Sequence, residues 1–151
     1  MQGRGKVLAV ASSGGHWIQL QRIVPAFSGF DVVYVTVQDS YRSQVPQNKF
    51  YLVNDATRWD KSGLVLLAVR LAWIIAKERP HVIVSTGAAP GYFALLFGRW
   101  TGARTIWIDS IANAEHLSMS GAHVGRYADL WLTQWPHLAR HDGPHYGGSV
   151  I

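Results

Sequence analysis

The sequence predicts an α/β fold built on a parallel sheet, and three observations carry that prediction. The first is Val7 to His16, a continuous apolar run that breaks into Ser12-Ser13-Gly14-Gly15 ahead of helix-forming residues. Such a run is what a strand covered on both faces requires. The second is a repeat of the same grammar at His81 to Gly91, where Val82-Ile83-Val84 leads into Ser85-Thr86-Gly87-Ala88-Ala89-Pro90-Gly91. The third is the alternation of strand-like and helix-like segments along the rest of the chain. Right-handed crossovers constrain the strand order. Open sheets of this class hold ligands at the carboxyl ends of their strands, near the switch point. Ser12–His16, Thr86–Gly91 and Asp109–Glu115 are therefore expected on one rim.

Lys6–Ala11 reads as the first strand and His16–Val24 as the first helix, with Leu20, Ile23, Val24 and Phe27 at core-facing spacing. Pro25 ends or kinks that helix, because the residue before a proline avoids helical backbone. Asp31–Val37 is the second strand, Gln38–Asn48 a polar loop, Phe50–Val53 a short edge strand and Asp55–Ser62 a further loop. Leu64–Arg79 is the longest helix, closed by Pro80, and His81–Ser85 is the next strand. Pro90 suits the first turn of a helix running to Trp100, since its missing N–H has no partner to lose there. Gly102 is placed to cap that helix. Arg104–Asp109 and Ala128–Thr133 are strands, and His137–Arg140 is a helical turn. Ser110–Gly121 is mixed in character. His145–Ile151 shows no clear element, and its Gly147-Gly148-Ser149 finish reads as an approach to more structure.

The 151 residues fit one domain, taken as 1–151, and can bury a sizeable core without staples. The absence of cysteine excludes disulfides and thiolate metal sites. With 48% hydrophobic and 15% charged residues, some surface is expected to meet another body. The net charge of +5 favours anionic partners. Scattered basic residues point to phosphates or an acidic lipid surface and away from nucleic acid. The basic start, Met1 to Lys6, precedes too short an apolar run for a signal peptide. No window reaches the length of a membrane span; the nearest, Leu64 to Ala76, is interrupted by Arg70.

Paired glycines let backbone approach a ligand, and the helix behind them adds partial positive charge, so Ser13-Gly14-Gly15-His16 suits a phosphate. The same residues are also what a tight strand-to-helix turn needs. His16 is a donor to phosphate, a base or a helix cap. Dinucleotide and P-loop fingerprints are absent. The second loop, with Thr86, Gly87, Pro90 and Gly91, has no side chain long enough for acid–base work and offers close backbone contact. Asp109-Ser110-Ile111-Ala112-Asn113-Ala114-Glu115-His116 places two carboxylates and an amide behind a strand. Asp109 and Glu115 are candidate general bases, or members of a solvated capping loop. His137 and His141 lack a third ligand, so no metal site is expected. On the long helix Leu64, Leu67, Ala68, Leu71 and Ile75 form a sheet-facing stripe. Leu66, Arg70, Trp73 and Lys77 form another, whose tryptophan between two cations suits a membrane interface. Arg99 and Trp100 extend it. Trp131, Trp135 and Pro136 are either core or a partner surface.

Ile106 to Asn113, Leu117 to Gly121, Ala128-Asp129 and Gln134-Trp135-Pro136-His137-Leu138, in this order, resemble bacterial PssD-type polysaccharide glycosyltransferase subunits. These are relatives of the membrane-anchoring subunit of the two-chain N-acetylglucosaminyltransferase of dolichol-linked oligosaccharide assembly. Ser12-Ser13-Gly14-Gly15-His16 and Ser85 to Pro90 match the same family, which looks like the N-terminal half of MurG. The resemblance implies the Rossmann-like, acceptor-side half of a GT-B glycosyltransferase. It implies a separate donor-binding subunit, a nucleotide sugar held by that partner, and a polyprenyl-diphosphate-linked acceptor, with no cofactor. Ser13, Gly14, Gly15, Thr86, Gly87, Pro90, Gly91 and Asn113 would hold the acceptor diphosphate, with His16, Asp109 or Glu115 as base. The second loop carries alanines where MurG is richer in glycine, and Asp109–Asn113 differs from MurG's acidic-amide motif. Eukaryotic members carry an N-terminal membrane helix. Attachment here is expected through Leu64–Lys77, peripherally, on the cytoplasmic face of the cell membrane. The alternatives are a non-catalytic scaffold that recruits the donor half, and a small nucleotide-binding protein.

Overall fold

A computed structural model of the chain describes residues 5–150. The basic start at residues 1–4 and the last residue, 151, lie outside the described residues. The elements run β1 (Lys6–Ala11), α1 (Gly15–Ile23), β2 (Asp31–Thr36), β3 (Lys49–Leu52), α2 (Lys61–Glu78), β4 (Val82–Gly87), α3 (Ala89–Thr101), β5 (Arg104–Ile108), α4 (Met119–Val124), β6 (Leu130–Thr133) and β7 (His145–Tyr146). The strands form one sheet in the order β3-β2-β1-β4-β5-β6-β7. Every pairing is parallel. The order reverses between β1 and β4, so the crevice rule places a ligand where the two glycine turns leave those strands.

Alternation along β1 divides the core. Leu8 and Val10 pack with Leu67, Leu71, Ile74 and Ile75 of α2 and Leu95 of α3. Val7, Ala9 and Ala11 pack on the opposite face with Trp17 and Leu20 of α1. Helix α3 lies very close to the sheet. A Cβ on Gly91 would stand 1.9 Å from Ser85 Oγ, and one on Gly98 2.4 Å from Ile83 Cδ1. Both glycines therefore serve packing.

Several boundaries differ from the sequence reading. Helix α2 starts at Lys61 because the Asp60 carboxylate accepts from the Gly63 N–H at 2.9 Å, an N-cap that satisfies a free first-turn donor. Its buried stripe is Leu67, Leu71, Ile74, Ile75 and Glu78, while Leu64 and Ala68 are only partly covered. The polar loop after β2 contains a 3-10 turn, Asp39–Gln44. Helix α4, capped by Ser118, lies in and beyond the mixed segment. His145–Tyr146 adds a seventh strand against β6. The C-terminal cap at Gly102 is present, with φ 85°.

Glu78 is the buried charge that pattern reading missed. Its carboxylate accepts from Lys49 at 3.0 Å, Tyr51 at 2.9 Å and Lys6 at 3.3 Å. Burial pushes this carboxyl up, and the hydrogen bonds from Lys49, Tyr51 and Lys6 outweigh that and hold it below its ordinary range. Burial and the neighbouring Glu78 push the Tyr51 phenol up to about 12. A depressed carboxyl contributes stability that is complete above its unfolded value, about 4.5, and is lost as pH falls through the folded value. Glu78→Gln is expected to cost about 2 kcal/mol near pH 7. Urea melts should show the gap to wild type closing well below pH 4.5; an unchanged gap would refute the ionic origin.

Candidate functional site

The two glycine turns meet. The Ser12 N–H donates to the Gly87 carbonyl at 3.2 Å, and the Thr86 hydroxyl donates to the His16 carbonyl at 2.6 Å. His16 Nδ1 lies 2.9 Å from the Thr86 carbonyl. A carbonyl only accepts, so Nδ1 carries the proton, and the neutral ring keeps its lone pair on Nε2. The ring rests on Gly87, where a Cβ would stand 2.5 Å from Cε1 and Nδ1. Gly87 has φ 131°, a backbone region that side chains avoid.

A cleft of about 300 Å³ is lined by His16, Ala88, Ser110, Asn113, Ser118 and Ser120, with Ala112 and Met119. His16 opens α1 and Ala88 caps α3, so the starts of two helices face it. His16 is the one ionisable side chain in its lining among the described residues.

Of the predicted site residues, His16 and Asn113 line the cleft. Ser13, Gly14 and Gly15 sit beside it on an accessible rim, and the Gly14 N–H already donates to the Tyr41 hydroxyl at 2.9 Å. Tyr41 stacks on Trp17 at 4.7 Å, so α1 and the turn after β2 hold the rim from below. Thr86, Gly87, Pro90 and Gly91 are buried. Thr86 is spent on His16 and Gly91 on Ser85, so these residues shape the site without facing it; the half-buried Ala88 is the part of the loop that lines the cleft.

Asp109 is also buried, and its carboxylate is saturated. It accepts from Trp107 Nε1 at 3.1 Å, Asn113 Nδ2 at 3.3 Å, the Ser118 N–H at 3.0 Å and the Ser118 hydroxyl at 2.6 Å. These bonds make it the organiser of the 110–118 loop and leave no open lone pair for base work. Glu115 is exposed and lines a different cavity with Trp131 and Arg140. It is therefore remote from the role of base in the His16 cleft.

Sequence reasoning missed the polar core beneath the cleft. Gln19 of α1 donates to Ser110 Oγ at 3.1 Å, and its carbonyl accepts from the Ile111 N–H at 3.2 Å. Gln134 Nε2 donates to Gln19 Oε1 and to the Asp109 carbonyl at 2.9 Å. Trp135 Nε1 donates to the Ile111 carbonyl at 2.7 Å. Ser118, Gln134 and Trp135 lie in motifs that carry the family resemblance; Gln19 carries no signal. Among the described residues no group of His, Asp and Glu could hold a metal ion.

On α2, Leu66, Arg70, Trp73 and Lys77 are exposed, together with Val65 and Val69. Arg70 donates to the Leu52 carbonyl of the edge strand at 2.9 Å, and Lys77 lies over the Trp73 ring at 4.9 Å. Trp100 is exposed on α3, and Arg99 pairs with Asp129 at 3.0 Å. Among the described residues no helix is long and apolar enough to cross a membrane.

Known proteins share this architecture. The chain is 33% identical over 85 residues to the UDP-N-acetylglucosamine transferase subunit ALG14 of Yarrowia lipolytica, covering 52% of this chain and 39% of that protein. It is 33% identical over 91 residues to the same subunit of Eremothecium gossypii, covering 56% and 41%. The matched part thus spans about two fifths of these relatives. The fold superposes on MurG of Acinetobacter baumannii with a TM-score of 0.78 at 11% identity, over 96% of this chain and 45% of that one. It superposes on UDP-N-acetylglucosamine 2-epimerase of Rickettsia bellii with a TM-score of 0.66 at 12% identity, over 89% and 40%. These likenesses establish a Rossmann-like fold that resembles the N-terminal half of MurG. The family described as "Oligosaccharide biosynthesis protein Alg14 like" matches from residue 7 to residue 150, and the chain belongs to it.

Proposed function

We propose that this chain is the acceptor-binding, membrane-associated subunit of a two-component glycosyltransferase, in the manner of bacterial PssD-type subunits. A separate donor-binding chain supplies the nucleotide sugar, UDP-N-acetylglucosamine by analogy with the ALG14 relatives. The acceptor is a saccharide on a polyprenyl diphosphate. The observation that carries this reading is the His16 cleft: helix starts, hydroxyls and an amide around one imidazole whose Nε2 is free to accept a proton. Ser13, Gly14 and Gly15 approach the diphosphate from the rim, and Asn113 approaches it from within. In the transfer step an acceptor hydroxyl attacks the anomeric carbon, the bond to UDP breaks, and Nε2 takes the hydroxyl proton. The whole chain, 1–151, acts as one acceptor domain. The test is transfer from UDP-N-acetylglucosamine to a polyprenyl-diphosphate saccharide. The chain alone should be inactive, and adding a donor-binding partner should restore turnover; no turnover with any such partner would refute the proposal.

The saturation of Asp109 favours one rival, a scaffold that only recruits the donor half, because it removes a second acid–base group. Transfer that survives His16→Ala would select the scaffold.

The chain docks peripherally on the cytoplasmic face of the cell membrane through α2. Val65, Leu66, Val69 and Trp73 supply apolar contact and Lys77 meets anionic headgroups. Leu66→Asp with Trp73→Asp is expected to abolish flotation with anionic vesicles, and Lys77→Glu to weaken it. Unchanged flotation would make this stripe purely structural. Arg70→Glu should instead loosen the β3 edge, because Arg70 is tied to Leu52.

A further inference from the structure

The His16 cleft runs into a second, larger cavity. This groove, of about 440 Å³, lies where the first turns of α2 and α3 meet α4, and it shares Met119 and Ser120 with the cleft. Ala56, Leu64, Tyr92 and Phe93 give it carbon walls. Burial, with the neighbouring Tyr127, pushes the Tyr92 phenol up, so that wall is uncharged near neutral pH. Its volume is that of a small-molecule site, and its walls are mostly apolar with few polar groups, as such sites are.

Two features indicate what fills it. Leu64 belongs to the same helix as the exposed Val65, Leu66, Val69 and Trp73, so the groove adjoins an exposed apolar face of α2. Arg58 lines the groove, resting on Trp59 at 4.3 Å and approaching the Met119 sulfur at 3.6 Å, with no ion pair among the described residues. Polar cleft, unneutralised cation and apolar groove thus follow one another across Met119 and Ser120. That order matches the junction between an anionic headgroup and a hydrocarbon chain. A peptide segment would bring a row of N–H and C=O groups that need partners, and of the lining side chains only those of Arg58, Tyr92, Ser120 and His123 are polar.

We propose that this groove binds the first isoprene units of the lipid carrier, next to its diphosphate. The proposal rests on the acceptor-binding reading of the His16 cleft. It makes lipid recognition a property of the protein as well as of the membrane, because part of the chain leaves the bilayer to lie between α2 and α3.

Calorimetry with the full chain in detergent-free, lipid-free buffer tests it, using ethyl diphosphate and geranyl diphosphate below its aggregation limit. Burial of the longer chain should make geranyl diphosphate bind at least about tenfold tighter. Leu64→Trp, which fills the groove, and Phe93→Ala, which removes a wall, should each erase that difference and leave ethyl diphosphate binding unchanged. Thermal melts confirm that each variant folds. Equal binding of the two diphosphates by wild type overturns the groove proposal and leaves the acceptor reading standing. Binding of neither overturns both. Groove variants that keep the chain-length preference and instead lose the donor-binding partner would show that a protein segment occupies the groove.

Discussion

Replacing His16 by alanine is expected to lower transfer by the reconstituted pair about 10²- to 10⁴-fold, the usual range for removing a positioned proton acceptor. The expectation follows from the tautomer. The Thr86 carbonyl at 2.9 Å holds the proton on Nδ1, so the neutral ring presents Nε2 ready to accept another. No second group in the cleft can substitute, because Asp109 is occupied by four donors and Glu115 lines another cavity. The fold should survive, since the side chain gives up one hydrogen bond worth about 1 kcal/mol. His16→Asn sharpens the reading. Its amide N–H can still reach the Thr86 carbonyl, while the Nε2 lone pair is gone. Stability near wild type with transfer as low as in His16→Ala would separate proton acceptance from positioning. Wild-type transfer in either variant would dismiss His16 as the base.

Gly87→Ala is expected to produce the largest combined loss. At φ 131° a Cβ is strained whatever surrounds it, and here it would also stand 2.5 Å from the His16 ring. Strain of this kind costs about 1–3 kcal/mol, and the imidazole must leave its place over the loop. Denaturant melts should register the strain, and transfer should fall toward the His16→Ala level. Gly14→Ala is the internal control. Gly14 also has positive φ, 71°, but a Cβ there meets nothing within 4 Å. Its cost should stay near the bare backbone strain of about 1–3 kcal/mol, with His16 undisturbed. Equal losses of stability at the two glycines would show that contact with His16 contributes nothing to the fold.

The layout of the site was legible in the chain and its chemistry was only partly so. Two apolar runs ending in glycine turns are sufficient to place Ser13–His16 and Thr86–Gly87 on one rim, because parallel strands present their carboxyl ends together. The exposed stripe Leu66, Arg70, Trp73 and Lys77 was equally legible, since helical spacing alone sets which side chains share a face. Asp109 and Glu115 were not separable that way. Seven residues past β5 the chain has turned far enough to carry Glu115 to another cavity, and nothing local records the turn.

The sequence by itself determined a parallel α/β sheet, the two apposed glycine turns and an apolar, basic stripe on the outer face of the long helix. Each follows from forces acting over a few residues: strand burial, backbone freedom at glycine, and helical periodicity. Tertiary structure alone decided which side chains line the cleft. Thr86 turns to the His16 carbonyl, Gly91 fits against Ser85, and Trp107, Asn113 and Ser118 close around Asp109. Beneath them Gln19 meets Gln134 across 115 positions of sequence. The reason is that a buried polar group must find a partner, and in this fold those partners come from strands and helices far apart along the chain. The glycine turn expected to face a phosphate forms a rim, and the cleft beside it is lined by His16, Asn113 and three serines that only the packed sheet brings together.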